Sequence, residues 1–416
     1  LAGTEVGVVV AYRANGSRLW TRRLVPEANR PIVALTTAQP ANDENEPLVA
    51  VILGPDEGSN SANDVLLLGP TNRLLTTYER VDANGLTSLL DINKDGRYEL
   101  LLARFATVEL LGLGVGTSEI APEWSYSLDS EPGAILVVDF NNDGEDELVV
   151  GAKDGRLHYL NQQNSVDWLV SPGGNITHLA LLQTENGDQQ IVVIRNSTTI
   201  GPDNQERQQG WIDVRDVDGE QLWERPFDAN ITSLLVQDIN ERGDPEIIVG
   251  TRTGEVYAFT TNETELWNRN LQPEGGLGQP VTQLLLIDNL DTEQPVLVAA
   301  SGNRLVSIRT RALFAPTTLA TYPTPIQGVF TLAQPGLELA TRLLVFTEQQ
   351  ASGLTWRGIQ MPAWPVRLQG TPLTSIRADD VIEEAFEEST AEAFLVATNQ
   401  AELIRLRVEE STPNVP

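Results

Sequence analysis

The chain is 416 residues long and 41% apolar, with 28 Lys and Arg against 58 Asp and Glu, which gives a formal net charge of −30. This acidic balance argues against nucleic acid and anionic membrane surfaces as partners, because both require a basic footprint on the protein. The chain has no cysteine, which excludes disulfides, zinc–thiolate sites and cysteine nucleophiles, and no apolar run approaches the ~20 residues of a membrane-spanning helix.

The predicted elements are β-strands that form a repeating unit. Short apolar runs, rich in β-branched side chains and bounded by Gly, Asn, Asp and Pro, are typical of strands. At the N-terminus, residues 6–20 match only the last two strands of the unit, and the clearest complete copy spans residues 223–267. Each unit ends on an aromatic residue, and 44 residues separate Trp124 from Trp168.

Four strands in ~45 residues predict an all-β fold, namely a β-propeller of four-stranded blades. The recurring aromatic residues indicate eight blades, with seven as the alternative because the units around residues 312–364 are degenerate. The last unit, residues 374–408, lacks its outer aromatic strand. We therefore expect the two termini to share the last blade, which closes the ring and removes an exposed sheet edge. Residues 1–410 would form this single domain, and residues 411–416 a linker remnant.

Two stretches, residues 91–99 and 139–147, have nearly the same sequence and lie between predicted strands. Alternating oxygen-bearing side chains, a glycine turn and a final carboxylate form a loop that suits Ca²⁺. The alternative is an Asp/Asn-Gly turn without metal. The pattern predicts about two Ca²⁺ ions, with side-chain ligands and one backbone carbonyl (Arg97 or Glu145) in each loop. The ligands are Asp91, Asn93, Asp95, Arg97 and Glu99 in the first loop, and Asp139, Asn141, Asp143, Glu145 and Glu147 in the second.

A third copy, residues 238–246, departs from this pattern. Arg242 stands where the other two copies have an Asp. An arginine cannot bind a cation and repels it, so we expect this loop to be held by a salt bridge from Arg242 to Asp238 or Glu246, with no ion.

The two complete loops closely resemble those of FG-GAP/VCBS repeats in integrin-α-like propellers, where an acidic loop leads into an apolar strand. The recurring strand-end tryptophan is also similar to the blades of quinoprotein-like propellers, including outer-membrane assembly scaffold lipoproteins. The resemblance implies a Ca²⁺-stabilised propeller that is usually extracytoplasmic and serves adhesion or assembly. It does not imply one activity, because a fold does not determine a function.

The sequence contains no recognisable catalytic motif. The two histidines, His158 and His178, have no local partner motif, and the strand-end tryptophans are predicted to pack between blades. We therefore favour a non-enzymatic protein-binding, adhesion or assembly module that is extracellular, on the cell surface or periplasmic, as in an exported bacterial protein. The alternative is an enzyme on the same scaffold, either a quinoprotein-like dehydrogenase or a polysaccharide lyase.

Two inserts interrupt the regular repeat, at residues 55–63 and 197–210. Both are predicted to join strands two and three of their blades, on the face opposite the cation loops. Variable loops on a rigid scaffold are the usual place for recognition. We expect a protein or other macromolecule to bind on the face that carries these two loops.

Overall fold

The computed structural model describes the chain in segments. These are residues 2–3, 8–12, 18–23, 30, 32–38, 48–54, 63–69, 73–78, 86–92, 98–113, 120–140, 144–161, 165–201, 203–272, 278–287, 295–310, 315–332, 342–348, 350–360, 365–367, 372–377, 393–398 and 403–407. Within these segments every regular element is a β-strand.

The described strands form seven four-stranded antiparallel sheets, in each of which strands adjacent in sequence pair with one another. This confirms the predicted propeller of four-stranded blades. The strands are β4 (Ile32–Ala38), β5 (Leu48–Leu53), β6 (Asp64–Leu68) and β7 (Leu74–Tyr78); β8 (Ser88–Leu90), β9 (Glu99–Arg104), β10 (Thr107–Leu113) and β11 (Ile120–Ser127); β12 (Pro132–Val138), β13 (Glu147–Ala152), β14 (Leu157–Leu160) and β15 (Val166–Val170); β16 (Asn175–Gln183), β17 (Gln189–Ile200), β18 (Glu206–Arg215) and β19 (Gln221–Phe227); β20 (Ile231–Gln237), β21 (Glu246–Thr251), β22 (Glu255–Phe259) and β23 (Glu265–Asn270); β24 (Val281–Ile287), β25 (Val296–Ser301), β26 (Arg304–Arg309) and β27 (Thr317–Thr321); β28 (Ile326–Leu332), β29 (Arg342–Thr347), β30 (Gln350–Thr355) and β31 (Val366–Arg367).

The two ends of the chain form separate three-stranded sheets in the described segments. One contains β1 (Ala2–Gly3), β2 (Val8–Tyr12) and β3 (Arg18–Arg23), and the other β32 (Pro372–Arg377), β33 (Ala393–Thr398) and β34 (Leu403–Arg407). Strand β1 contacts β4, β32 and β33, and β32 also contacts β4. The N-terminal strand β1 and the C-terminal sheet therefore lie next to each other and next to the blade formed by β4–β7. A closing blade shared by the two termini, and with it the count of eight blades, stays a prediction. Residues 411–416, the predicted linker remnant, lie outside the described part.

Neighbouring blades share their hydrophobic cores. One cluster joins Ile212 and Val214 of β18 to Ile247 and Val249 of β21, and all four side chains are fully buried. The second strand of a blade is buried on both faces, as in β13, where every residue is buried. Because the apolar surface of each blade is covered by the next blade, a single blade lacks a complete core of its own.

Two of the strand-end tryptophans also connect adjacent blades by hydrogen bonds. The indole Nε1 of Trp168 donates to the carbonyl of Val217 at 2.8 Å, and Nε1 of Trp223 donates to the carbonyl of Thr261 at 2.8 Å. In both cases the acceptor lies in the turn between strands three and four of the next blade. The prediction that these residues pack between blades is confirmed for Trp168 and Trp223.

The connections leave each blade on two opposite faces. The turns between strands one and two, which include the three acidic loops, lie with the turns between strands three and four on what we call the loop face. The connections between strands two and three lie with the links between blades on the opposite hairpin face. The insert at residues 197–210 forms the outer ends of β17 and β18 and the turn between them, so it lies on the hairpin face, as predicted. The insert at residues 55–63 falls between β5 and β6, and its residues 55–62 lie outside the described residues, so its placement stays a prediction.

Removing the N-terminal strands tests whether the ends of the chain close the ring. Deletion of residues 1–23 should lower the melting temperature by about 10 °C or more and promote aggregation, because it exposes a sheet edge and apolar surface of the neighbouring blades. Circular dichroism during heating gives the melting temperature, and a deletion of residues 411–416 is the control. Unchanged melting of the N-terminal deletion would show that these strands close nothing.

Candidate functional site

A glutamate closes each of the three acidic loops in the same way. Glu99, Glu147 and Glu246 are the first residues of the second strands β9, β13 and β21, and they are only 2%, 2% and 3% exposed. One carboxylate oxygen of each accepts a hydrogen bond from a backbone N–H at the start of the same loop. The donors are Ile92 at 3.0 Å, Phe140 at 2.8 Å and Ile239 at 2.9 Å.

This hydrogen bond brings the first and last predicted ligands of each loop together. Ile92 directly follows Asp91, and Phe140 directly follows Asp139. Each complete loop thus places two carboxylates at the junction of strands one and two. The all-oxygen donor set fits a hard cation such as Ca²⁺.

The structure describes half of the predicted ligands. Asp91, Glu99, Asp139, Glu145 and Glu147 are described, and the central positions of both loops, Asn93, Asp95, Arg97, Asn141 and Asp143, lie outside the described residues. Among the described residues, no group of three or more Asp, Glu, His or Cys side chains is arranged to hold a metal. The two cation sites therefore stay a prediction.

The first aspartate and the glycine form a turn in two of the loops. The backbone N–H of Gly144 donates to Asp139 Oδ2 at 3.0 Å, and that of Gly243 donates to Asp238 Oδ2 at 2.8 Å. Both glycines have positive φ, 96° and 99°. A residue with a Cβ is strained in this conformation, which explains the glycine at this position.

The third loop is held by backbone and amide groups. The expected salt bridge was wrong, because among the described contacts the Arg242 guanidinium makes no ion pair, and only its backbone N–H donates to Asp238, at 3.3 Å. Burial acts to raise the pKa of Asp238, but N–H groups of residues 240–243 outweigh it and lower that pKa. The Asn240 amide donates to Glu246, whose pKa is raised chiefly by burial.

Acidic turns of neighbouring blades contact one another on the loop face. The N–H of Asp146, in the second loop, donates to the carbonyl of Ile92, in the first, at 3.1 Å. The N–H of Glu185 likewise donates to Asp244 Oδ1 at 2.7 Å, between the next two blades. The two predicted cation loops are therefore adjacent, and order in one loop supports order in the other.

On the hairpin face, the insert at residues 197–210 is more ordered than a loop. Strands β17 and β18 stay paired beyond their blade through Ser197 with Gln209, Thr198 with Gln208, and two further pairs that end at Ile200 with Glu206. The prediction of a loop was wrong in this respect, since the insert is a β-hairpin that projects about 14 Å at ~3.4 Å per residue pair. Residues 55–62 of the other insert lie outside the described residues.

Residues that fix the feet of both inserts were missed in the sequence. The Asn196 amide bonds to both backbone groups of Ile231 in the next blade, as donor at 2.9 Å and as acceptor at 2.8 Å. Arg30 donates to the carbonyl of Gly54 at 2.7 Å and forms a buried ion pair with Asp64, at the two ends of the 55–63 insert. Nothing local in the sequence indicates either partner. A buried Arg or Asn beside an insert can be recognised only once the blades are aligned.

The two histidines are packed as expected. His158 is 3% exposed, its Nδ1 lies 2.9 Å from the Tyr126 hydroxyl, and burial lowers its pKa. His178 Nδ1 lies 3.0 Å from the Thr177 hydroxyl, and burial lowers its pKa as well. Both imidazoles are thus biased toward the neutral form, each with a neutral hydroxyl as its neighbour.

In a comparison with protein families, residues 132–166 match the FG-GAP repeat. This span runs from β12 to the start of β15 and contains the second acidic loop. Residues 132–166 are therefore similar to an FG-GAP repeat. The assignment agrees with the resemblance noted in the sequence, and the first loop repeats the same pattern one blade earlier. No curated protein sequence matches the chain.

Solved structures are similar to the chain at low identity. Sqt1 of Saccharomyces cerevisiae has a TM-score of 0.64 at 12% identity, covering 92% of this chain and 97% of its own. BamB of Moraxella catarrhalis has a TM-score of 0.46 at 12% identity, covering 98% and 92%. BBS1N, solved in complex with ARL6DN, has a TM-score of 0.46 at 14% identity, covering 76% and 88%. The likeness to Sqt1 supports the propeller fold alone.

In the described part of the chain, no helix is long and apolar enough to cross a membrane.

Calorimetry of Ca²⁺ binding tests the two loops. Chelated protein should bind about two Ca²⁺ ions, and Mg²⁺ more weakly, because a loop that offers many oxygen ligands suits the larger ion. Asp95→Ala and Asp143→Ala should each remove one site, since each deletes a carboxylate ligand. Asp238→Ala, in the third loop, is the matched control and should leave both sites. A wild-type protein that binds no Ca²⁺ would refute the interpretation.

Proposed function

We propose that the protein is a non-enzymatic binding module, a Ca²⁺-stabilised propeller that captures a protein partner on its hairpin face outside the cytoplasm. The observation that carries this proposal is the projecting hairpin of residues 197–209. The neighbouring blades connect strands two and three by short turns, at residues 153–156 and 252–254. The long connection is therefore an addition to the blade that the fold itself does not require.

The surface of the hairpin favours recognition of a macromolecule. Its outer residues are exposed, and Ile200 near the tip is 66% exposed. An isolated apolar side chain of this kind is tolerated on any surface. Here Ile200 lies on a two-stranded ribbon that extends beyond the rest of the sheet, since β16 pairs with β17 only as far as Asn196. The outer backbone edge of β17 beyond Asn196 therefore has no neighbouring strand in the described sheet. Exposed backbone edges and an apolar tip are both features that a protein partner can contact.

The foot of the hairpin is rigid, which suits a recognition element. Besides the Asn196 bonds to the next blade, the Arg195 guanidinium lies 4.6 Å from the ring centroid of Trp211 and forms an ion pair with Glu224. Arg215 donates to the fully buried Asp213 at 2.9 and 3.1 Å. Burial raises the pKa of Asp213, and both arginines oppose that shift. A hairpin held in this way loses little conformational entropy on binding.

The cation loops would act on the opposite face as structural staples. Asp91, Glu99, Asp139 and Glu147, with the central loop residues, would hold the ions and join strands one and two of two adjacent blades. A bound Ca²⁺ ion would neutralise part of the acidic excess at these loops. Outside the cytoplasm, where Ca²⁺ is abundant, such loops would stay occupied even with an affinity as weak as ~10⁻³ M.

Shortening the hairpin tests the proposal. Replacing residues 197–209 with Lys-Asp-Gly, the first three residues of the turn at residues 153–156, keeps Asn196 and Gly210 and should leave folding and Ca²⁺ binding intact. It should abolish capture of the partner, because the exposed ribbon is removed. The measurement is quantitative mass spectrometry of proteins retained by the wild type and by the shortened variant from the native extract or growth medium.

The control alters an equally exposed element on the loop face. Asp218→Asn with Glu220→Gln, in the turn between β18 and β19, should retain every protein that the wild type captures. Proteins lost only with the shortened hairpin are the expected result. Capture that is identical for all three proteins, or turnover of a small substrate by the shortened variant, would contradict the proposal.

A further inference from the structure

A cavity of about 440 Å³ opens on the hairpin face between two blades. Its walls are the end of β19 and the link to β20 on one side, and the ends of β21 and β22 on the other. The volume is in the range of sites that hold a small ligand or a large side chain. The cavity lies outside both acidic cation loops and is not used by any feature described above.

The cavity combines an aromatic wall with a polar rim. Phe227 and Tyr257 are in edge-to-face contact, with ring centroids 5.1 Å apart. Arg225, Asp228 and Glu255 lie around them. Burial, and after it the Glu255 carboxylate, raises the pKa of Tyr257, so the phenol stays protonated and its hydroxyl donates to Glu255. Aromatic rings can pack against a hydrocarbon stem while the carboxylates face its polar end.

The electrostatic balance of the cavity is acidic. Arg225 is the cation in the lining, and its guanidinium is paired with Glu265 at 3.2 Å and lies 5.7 Å from the Phe259 ring centroid. Asp228 and Glu255 have no ion-pair partner among the described residues. The cavity therefore offers two carboxylates whose charge the surrounding described residues do not neutralise, in a protein with a net charge of −30.

The cavity is continuous with the hairpin. Asp228 and Ala229, in the link between the two blades, form one wall of the cavity. The next residue, Asn230, lies at the foot of the hairpin, where its side-chain amide donates to the carbonyls of Ser197 and Gln209 at 3.3 and 3.1 Å. The backbone carbonyl of Asn230 accepts the N–H of Arg252, in the turn on the far side, at 2.8 Å. A partner that lies along the hairpin would therefore reach the cavity without crossing another blade.

We propose that this cavity receives one arginine or lysine side chain of the protein partner, with its cationic end against Asp228 and Glu255 and its stem against Phe227 and Tyr257. This inference rests on the proposed function and adds the chemistry of the partner, which presents a basic side chain. The charge of the cavity favours a cation over a neutral sugar, although aromatic and hydroxyl groups also occur in carbohydrate sites. Desolvation on docking strengthens both the charge pairing and the contact of the cation with the aromatic rings.

Small probes test the cavity on the full chain. N-acetyl-arginine amide and N-acetyl-lysine amide are titrated by saturation-transfer NMR, with N-acetyl-glutamine amide and methyl glucopyranoside as neutral comparisons. The cationic probes should bind, and the neutral ones should not. Asp228→Asn with Glu255→Gln should weaken the cationic probes about tenfold, because two charge-assisted contacts are lost.

Two further variants keep the result interpretable. Asp218→Asn with Glu220→Gln makes the same change in net charge on the loop face, at the opposite end of one of the two blades that form the cavity. It should alter binding less than about twofold, since exposed distant charges are screened. The single variant Asp228→Asn changes only an exposed residue and should fold normally. It should show a partial loss of affinity for the cationic probes, which keeps the test valid if the double variant is poorly folded.

The outcomes separate this inference from the proposed function. Three results would overturn the cavity assignment. The cationic probes fail to bind, they bind equally well to the cavity variant and the control variant, or the glucopyranoside binds in their place. Hairpin-dependent capture of a protein would survive that result and would still support the proposed function. Cation binding that persists while hairpin-dependent capture fails would overturn the proposed function and leave the cavity as a site for a free cation.

Discussion

The hydrogen bond from a loop N–H to a buried glutamate organises the loop face of this propeller. A carboxylate that is almost fully buried is costly unless other groups compensate its charge. In three blades the first group that compensates the glutamate is the same, the backbone N–H of the second residue of the loop, at 2.8–3.0 Å. In the third loop the amide of Asn240 adds a second donor to Glu246. In the two complete loops, we assign the additional compensation to a bound cation.

We assign the two faces of the molecule different roles, a structural role to the loop face and recognition to the hairpin face. On the loop face, short acidic turns contact one another from blade to blade, so a change in one turn affects its neighbour. On the hairpin face, the connections vary in length, and the longest described one is a ribbon fixed at its foot by Asn196 and by the buried charges around Asp213. Rigid attachment and an exposed tip allow the chain to vary its binding surface while the blades stay the same.

Much of this organisation could be predicted from the sequence, because the repeat and the acidic loops depend on local patterns. The hairpin was mistaken for a loop, since its strands carry Ser, Thr and Gln on both faces and lack the alternation of a half-buried strand. The salt bridge of Arg242 was wrong because backbone N–H groups satisfy Asp238 first. The role of Asn196 could not be predicted, since its partner Ile231 lies in another blade and only the packing of the blades brings the two together.

The central claim is that the loops at residues 91–99 and 139–147 hold cations and the loop at residues 238–246 does not. Anomalous diffraction from crystals soaked with Tb³⁺, which replaces Ca²⁺ at oxygen sites, locates bound ions directly. The account predicts one strong peak in each of the first two loops, beside the buried carboxylates of Glu99 and Glu147, and no peak beside Glu246. An absence of peaks in the first two loops, or a peak of equal height in the third, would contradict it.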